Sequence, residues 1–257
     1  MTTIRYESDA DPTALADATV AIVGYGNQGR SWALNLRDRG IDPLVCVRND
    51  DSRAQATDDG FAAVELSAAS AADVVCLLVP DDVIPRLDLS RPPDGLTIVA
   101  SGYSLAFGGF APEGDVAMVA PRMLGPDVRR CFVDGQGFIT AIGVAEDRTG
   151  TAWARALAVA SGIGGLREGA IEMSPLQEAV LDLAAEQLLA PALLHVNGAF
   201  LMVMLEQGIP IEAIMCELVL SGEMERQYRR LREEGWVAQL AHHSPTSQYG
   251  QLSRMGR

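Results

Sequence analysis

A glycine-rich turn directly after an apolar run constrains this chain more than any other feature. The run Val20–Val23 precedes the turn, and an amphipathic helical segment, residues 28–39, follows it. Glycines at this spacing allow a tight turn, a close approach of the backbone to a ligand, and close packing of the helix on the strand. The helix amino terminus then offers free N–H groups to phosphate oxygens. We therefore predict a dinucleotide-binding turn formed by Gly24, Tyr25, Gly26, Asn27, Gln28 and Gly29.

Short apolar runs alternate with helical segments in the first part of the chain. Strands are predicted at residues 20–23, 44–47, 74–79, 97–100, 116–120 and 138–144. This alternation is typical of right-handed βαβ units in a doubly wound parallel sheet. After about residue 165 the strand-like runs disappear and long helical patterns dominate. The fold class is therefore α/β, with a Rossmann-type domain in residues 1–170 followed by an all-helical domain in residues 171–257.

Two helix starts carry recognisable capping residues. Ser52 is predicted to cap the helix that runs toward Asp59. Ser174 and Pro175 predict the start of the first helix of the C-terminal part, with Glu178 as the capping-box partner.

The segment after the second predicted strand is where a Rossmann domain meets the adenosine ribose. It contains Arg48, Asp50, Asp51 and Ser52. A carboxylate here favours the free 2′-hydroxyl of NADH, whereas an arginine and hydroxyl groups favour the 2′-phosphate of NADPH. Both kinds of residue are present, so NADH is favoured and NADPH stays open. The aspartates could also form only a solvated turn.

Composition excludes several classes of function. The net charge is −14, and all 20 basic residues are arginines, so neither a nucleic-acid partner nor lysine chemistry is expected. The N-terminus has no apolar segment typical of a signal peptide. The most apolar stretch, residues 188–205, is interrupted by Pro191 and Gly198, which predicts a buried helix and not a membrane span. We therefore expect a cytoplasmic protein with no membrane partner.

Several segments together resemble the ketol-acid reductoisomerase family. The resemblance implies a reductase that uses NAD(P)H and magnesium on a small-molecule substrate, and a helical domain that forms a homodimer around a shared site. It also places Pro80, Asp82, Ser101 and Gly102 on the cofactor side. The likeness is nearly colinear and is carried by residues 20–37, 73–82, 120–130, 161–165, 182–187 and 244–250.

The sequence departs from the family pattern at chemically important positions. Ser101 stands where the family has a histidine, and Arg122 stands where it has a lysine. Two helical carboxylates four residues apart complete the family's metal site, and the corresponding positions here are Val219 and Glu223. The likeness ends at Gly250, whereas the family pattern continues.

Five residues are candidates for chemistry at the substrate. Asp182 and Glu186 lie four apart, on one face of a helix, and the resemblance implies that they bind Mg²⁺. With Val219 in the site, at most one weakly held ion is expected. Without metal, Glu186 becomes a candidate general acid or an anchor for a cationic substrate such as an iminium. The remaining candidates are Ser244, Glu223 and Arg122. Of these, Arg122 can pair with a substrate carboxylate. Each of these residues could instead have only a structural role, on a solvated helix face, in a surface ion pair or in a turn.

Three functions are compatible with these observations. The first is an NAD(P)H-dependent reductase of C=N or C=O groups that belongs to a specialised biosynthetic pathway and lacks the full alkyl shift. The second is an authentic ketol-acid reductoisomerase of branched-chain amino-acid synthesis. The third is a dinucleotide-binding protein without catalysis.

Overall fold

The computed structural model describes residues 2–254, and nine strands within that range form a single sheet. From one edge to the other, the order is β1-β9-β8-β7-β6-β5-β2-β3-β4. The strands are β1 (Ile4–Arg5), β2 (Val20–Val23), β3 (Leu44–Cys46), β4 (Ala63–Val64), β5 (Val74–Leu77), β6 (Leu96–Val99), β7 (Asp115–Pro121), β8 (Thr140–Glu146) and β9 (Ala170–Glu172).

The sheet confirms the predicted doubly wound fold, with one correction in strand direction, at β8. Strands β7, β6, β5, β2, β3 and β4 are parallel neighbours, but β8 is antiparallel to β7 and β1 is antiparallel to β9. An alternation of strands and helices does not fix the direction of strands near a sheet edge. The order reverses at β2, which has β3 on one side and β5 on the other, so a crevice opens beyond the carboxyl ends of β2 and β5.

Apolar side chains cover both faces of the sheet, because successive residues of a strand point to opposite faces. Val20 and Ile22 of β2 join one buried cluster, which includes Trp32. Ala21 and Val23 join the other cluster, on the opposite face. The continuous apolar run of β2 is therefore buried on both sides, as parallel central strands require.

Six α-helices accompany the sheet in residues 2–183. They are α1 (Asn27–Asp38), α2 (Asp51–Asp58), α3 (Tyr103–Ala106), α4 (Gly125–Val133), α5 (Ala152–Gly162) and α6 (Pro175–Ala184). The sheet unit extends to Leu183 and not to residue 170, because β9 pairs with β8 and α6 packs on this unit through the buried Glu178 and Ala179.

The predicted start of α6 at Ser174 and Pro175 is confirmed, but the cap of α2 and the capping-box partner in α6 differ from the predictions. Asp50, and not Ser52, caps α2 by accepting the amide of Ser52 at 3.0 Å. At the start of α6, the reciprocal partner of Ser174 is Gln177, and not Glu178. One residue along a helix is a rotation of about 100°, so Glu178 faces the sheet unit while Gln177 closes the cap.

The second unit begins at Ala184 and is helical, as predicted. A π-helical turn (Ala185–Leu189) leads into α7 (Ala190–Glu206), which is followed by α8 (Ile211–Met215) and a second π-helical turn (Cys216–Leu220). The helices α9 (Glu223–Glu234), α10 (Trp236–Ala241) and α11 (Pro245–Arg254) complete the described chain.

The predicted burial of residues 188–205 is wrong for the single chain. Leu188, Leu194 and Val196 are 71%, 72% and 61% exposed, because no other helix within residues 2–254 covers them. The helical span Pro175–Glu206 has a window of mean hydropathy 1.9, and by length and composition alone it could cross a membrane. None of that window is buried.

Candidate cofactor and substrate site

The glycine-rich turn joins β2 to α1, and each of its glycines has a separate structural reason. Gly24 has a positive φ of 95°, and a Cβ there would lie 2.6 Å from the carbonyl oxygen of Leu78. A Cβ on Gly29 would overlap the carbonyl oxygen of Gly24. Gly26 caps α1, and a Cβ on it would meet only open space. The turn is therefore tight at Gly24 and Gly29, and open at Gly26 for a ligand.

A pocket of about 280 Å³ lies beside this turn. It brings together seven of the predicted cofactor residues, namely Gly24, Tyr25, Gly26, Arg48, Asp50, Ser52 and Pro80. Its other walls are apolar and were not predicted, since hydrophobic residues after a strand carry no distinctive pattern. They are Val47, Leu66, Leu78, Val79, Val83 and Leu87. The mixture of apolar walls and few polar groups suits the adenosine half of a dinucleotide.

Asp50 binds the other two polar residues at one end of this pocket, Ser52 and Arg48. Its carboxylate accepts the amide of Ser52 and lies 3.2 Å from the guanidinium of Arg48. The hydrogen bond from Ser52 holds the pKa of Asp50 below its usual range, and Arg48 lowers it further. Asp50 is therefore charged at neutral pH and partly neutralises Arg48.

Tyr25 anchors the turn to the end of α2. Its buried hydroxyl donates to Asp59 at 3.0 Å, and Arg30 donates to both oxygens of the same carboxylate at 2.7 and 2.9 Å. Burial raises the pKa of Tyr25 above its usual range, and the bond to Asp59 raises it further. Asp59 and Arg30 are positioning residues that the sequence did not reveal, because they are far apart along the chain.

Asn27 and Gln28 contact the neighbouring loop, and none of Asn27, Gln28 and Gly29 lines the pocket. The amide of Gln28 donates to the carbonyl of Met123 at 3.0 Å, and its oxygen accepts the indole of Trp32 at 3.1 Å. A Cβ on Gly125 would overlap the backbone of Asn27. These contacts fix the turn against the loop between β7 and α4.

Arg122, at the end of β7, binds two carboxylates of α6. Its guanidinium donates to Glu178 at 2.5 Å and to Asp182 at 2.7 Å. Glu178 is 1% exposed and also accepts the amide of Gly102 at 2.7 Å. Burial raises the pKa of Glu178, although the Gly102 amide and Arg122 oppose that rise. The spacing of Glu178 and Asp182 was a usable signal, since residues four apart share a helical face.

Asp81 is a third carboxylate at the carboxyl ends of the strands. It follows β5 and accepts the hydroxyl of the buried Ser104 at 3.2 Å. Burial raises its pKa, and the charges of Asp182 and Asp82 raise it further. Asp82 itself lies 3.7 Å from Arg86 on the exposed surface and does not line the pocket.

Ser101 and Gly102 are bound to the protein itself. The hydroxyl of Ser101 accepts the amide of Tyr103 at 3.2 Å, at the start of α3. A Cβ on Gly102 would overlap the carbonyl of Pro175. The close approach of Gly102 to α6 accounts for its glycine without a ligand.

The candidates in the helical unit have contacts of their own. Glu186 lies exposed in the first π-helical turn, and the hydroxyl of Ser244 accepts the amide of Ser247 at the start of α11. Glu223 binds Arg230 at 2.7 Å, which lowers the pKa of its carboxyl. Val219 and Glu223 do not share one helix, because Gly222, with a φ of 66°, begins a new one.

The donor set of this chain does not fit a two-ion magnesium cage. Among residues 2–254, no group of three or more His, Cys, Asp and Glu side chains is placed to hold a metal ion. Asp182 is bound to Arg122, Glu223 is bound to Arg230, and Val219 offers no oxygen.

Comparison with known proteins identifies the family. A family model described as acetohydroxy acid isomeroreductase, NADPH-binding domain, matches residues 14–169. A putative ketol-acid reductoisomerase 3 from Saccharolobus solfataricus is 36% identical over an alignment 259 positions long, which covers 96% of this chain and 78% of that protein. The chain belongs to the ketol-acid reductoisomerase family. The expected resemblance is confirmed.

Other members of the ketol-acid reductoisomerase family agree in sequence and structure. The ketol-acid reductoisomerase (NADP(+)) of Caldivirga maquilingensis is 36% identical over 98% of this chain and 79% of its own length. The solved NADH-preferring ketol-acid reductoisomerase from an uncultured archaeon superimposes with a TM-score of 0.90 at 28% identity. The superposition covers 98% of this chain and 80% of that chain. The protein is an NAD(P)H-dependent oxidoreductase with a Rossmann domain.

Proposed function

We propose that this member of the family is an NADH-dependent reductase that reduces a C=N or C=O group of a small polar substrate and does not catalyse the alkyl shift. The observation that carries the proposal is the guanidinium of Arg122 between Glu178 and Asp182. The family resemblance makes Asp182 a metal ligand, and here its carboxylate is already bound to a fixed cation. If the guanidinium of Arg122 takes the place of the metal ion, the metal-dependent alkyl shift is lost and the reduction remains.

The alkyl shift requires more groups in the site than hydride transfer does. In the family, the resemblance implies two magnesium ions that polarise the ketol. A carboxylate whose charge is already neutralised by an arginine attracts a divalent ion less strongly. Three family carboxylate positions are compromised here, at Asp182, Val219 and Glu223. The proposed reduction therefore does not use a metal ion.

A reductase needs a positioned nicotinamide and an acceptor held against it. When bound, the cofactor supplies the hydride. Gly24, Gly26 and the amino terminus of α1 would hold its pyrophosphate, since they form an open helix terminus beside the pocket. The acceptor would be oriented at the carboxyl ends of the strands by Arg122, Glu178 and Asp182. Glu186, Glu223 and Ser244 stay candidates for the substrate contacts that the family resemblance implies.

The preference for NADH is proposed from Asp50. A 2′-phosphate at the ribose position would face this carboxylate and would compete with it for Arg48. The free 2′-hydroxyl could instead donate to Asp50. The cost of placing two anions together favours the cofactor without the phosphate.

The deciding experiment is a comparison of reactions in the purified protein. With excess EDTA and NADH, the protein should reduce members of a panel of small ketones and cyclic imines. With 2-acetolactate, magnesium and either cofactor, it should form no dihydroxy acid. Efficient magnesium-dependent turnover of 2-acetolactate would overturn the proposal.

The alternative function is an authentic ketol-acid reductoisomerase, and the names of the relatives favour it. It requires that magnesium binds at Asp182 although Arg122 already pairs with that carboxylate. The 2-acetolactate assay above separates the two functions directly, because only the isomeroreductase rearranges the carbon skeleton.

We also propose that a second copy of this chain covers the exposed apolar helix. Residues 188–205 carry few charges and expose large apolar side chains, and surfaces of this kind on soluble proteins mark interaction sites. A second copy buries the same apolar surface from both chains at once. Sedimentation should show a dimer at micromolar concentration. A stable monomer, or partition into lipid vesicles, would contradict this proposal.

A further inference from the structure

A second pocket, of about 230 Å³, lies against β5 and β6. Its other lining residues come from residues 85–91 and from residues 109–112. Most of the lining residues are apolar, and they include Leu77, Leu89 and Phe110. Two lining side chains carry polar atoms, those of Arg91 and Thr97. A cavity of this size can hold a small organic molecule, since apolar cavities of about 150 Å³ already bind benzene.

Arg91 is the one buried arginine within residues 2–254, and it is only 6% exposed. Its hydrogen bonds go to four backbone carbonyls and one hydroxyl, all of them neutral. In the same range, no carboxylate forms an ion pair with it. The charge of Asp73 acts on Arg91, but the carboxylate of Asp73 accepts the amide of Thr19 at 2.7 Å.

The guanidinium of Arg91 is therefore a buried cation without a counter-ion. Burial lowers its pKa, and the charge of Asp73 opposes that decrease. Arginine nevertheless stays charged at neutral pH. Because buried charges in proteins are normally paired, a cation of this kind beside a cavity indicates a site for an anion.

The longest hydrogen bonds of Arg91 lie along one edge of its guanidinium. Nη1 donates to two backbone carbonyls at 2.9 and 3.1 Å, which are ordinary distances. Nε donates to the hydroxyl of Thr97 at 3.4 Å, and Nη2 donates to the carbonyls of Asp73 and Leu96 at 3.4 and 3.3 Å. These three bonds are longer than ordinary ones, so an anion can compete for their donors. Two neighbouring N–H groups of a guanidinium can bind both oxygens of a carboxylate.

We propose that this pocket binds a small monoanion with an apolar body, a short branched or cyclic carboxylate, and that the Nε–Nη2 edge of Arg91 provides its counter-charge. The apolar body packs against Leu77, Leu89 and Phe110. A dianion such as a phosphate is disfavoured, because its second charge stays uncompensated among apolar walls. This ligand site is separate from the proposed reduction at Arg122 and does not depend on it.

The test uses calorimetry with the full-length protein and three probes. Cyclohexanecarboxylate has both the charge and the apolar body, cyclohexanecarboxamide lacks the charge, and acetate lacks the ring. We expect the acid to bind with a millimolar or lower dissociation constant, and the amide and acetate to bind at least about tenfold more weakly. Equal affinities for the acid and the amide would overturn the proposal, and so would an acid that does not bind at millimolar concentrations.

Two variants test whether the acid occupies this pocket. Ala111→Phe adds a ring at an exposed position of the lining and should weaken binding of the acid by at least about tenfold. Ala145→Phe, at an exposed position of β8, is the matched control and should bind the acid as the parent does. Equal affinities in the two variants would contradict the assignment of the pocket.

Arg91→Gln tests the charge itself, and in this variant the acid and the amide should bind equally weakly. Circular dichroism first shows whether the variant folds, because the substitution also removes bonds to buried carbonyls. A folded variant that still prefers the acid would exclude Arg91 as the counter-charge. If the variant does not fold, the ratio of acid to amide affinity in the parent and the result for Ala111→Phe decide.

Two further measurements separate this pocket from the other candidate sites. Leu87 lines both this pocket and the cofactor pocket, but the polar lining residues of the two pockets differ. The acid should therefore still bind in the presence of saturating NADH, and Arg122→Gln should not change its dissociation constant. Exclusion of the acid by NADH would place it in the cofactor pocket, and loss of binding in Arg122→Gln would place it at the candidate substrate site. Either result would overturn the proposal.

Discussion

The carboxylate of Glu178 accepts the backbone amide of Gly102 at 2.7 Å, and this bond ties α6 to the loop after β6. The other oxygen of the same carboxylate binds Arg122. Because the side chain is 1% exposed, its removal would leave an amide and a guanidinium without their buried partner.

Glu178→Ala should therefore destabilise the protein. We expect the free energy of unfolding to fall by about 2–4 kcal/mol, and by about half as much for Glu178→Gln, which can still accept the Gly102 amide. Urea unfolding followed by circular dichroism measures both values. Glu146→Gln, at an exposed position of β8, is the matched control. A change in Glu178→Ala no larger than in the control would contradict the assignment of this contact.

Arg122 should also determine whether the protein binds magnesium. Arg122→Gln removes the cation from Glu178 and Asp182, so the two carboxylates become free to bind a divalent ion. We expect millimolar Mg²⁺ to raise the Tm of this variant and to leave the Tm of the parent protein unchanged. Arg130→Gln removes an exposed arginine that pairs with Asp127, away from Glu178 and Asp182, and it should behave as the parent does. A magnesium-dependent rise in Tm of the parent would show that its own carboxylates bind the ion.

The sequence predicts the features that depend on local chemistry. The glycines at 24, 26 and 29 are predictable because each role follows from backbone geometry within one turn. The contacts of Glu178 were not predictable, because they depend on how α6 packs against β7. The contacts of Asp59 were not predictable either, because its partners Tyr25 and Arg30 are separated from it along the chain by about one helix and one strand. The direction of β8 was mistaken because an apolar run does not encode strand direction.

Asp59 should make stability depend on pH in the acid range. Its bond to Arg30 holds its pKa below the ordinary value of 3.8, with a smaller contribution from Tyr25. A carboxyl with a lowered pKa in the folded state contributes stability above its unfolded pKa and loses it as the pH falls through the folded pKa. Asp59→Asn should therefore cost about 1–2 kcal/mol near neutral pH and progressively less below pH 3.8. Asp58→Asn is the exposed control, and equal pH profiles for Asp59→Asn and the parent would contradict the assignment.

Asp50 should govern the choice of cofactor independently of its role as a helix cap. Asp50→Ser keeps an oxygen that can accept the Ser52 amide, because serine is a good cap, but it removes the charge beside Arg48. We expect the dissociation constant for NADPH to fall by about tenfold, with little change in Tm. Asp51→Ser, one residue further along α2, is the control. An unchanged ratio of NADPH to NADH affinity would exclude Asp50 as the determinant.

Gly26 and Gly29 should respond differently to the same substitution. Gly29→Ala places a methyl group against the carbonyl of Gly24, and backbone cannot move aside cheaply, so we expect a loss of several kcal/mol in the free energy of unfolding. Gly26→Ala meets open space and should change that free energy by less than about 1 kcal/mol. The space beside Gly26 is where we propose that the pyrophosphate approaches, so Gly26→Ala should still weaken NADH binding by at least about tenfold. Urea unfolding and NADH titration of both variants separate the two effects. NADH affinity that is unchanged in a folded Gly26→Ala protein would mean that the cofactor does not approach the turn at that residue.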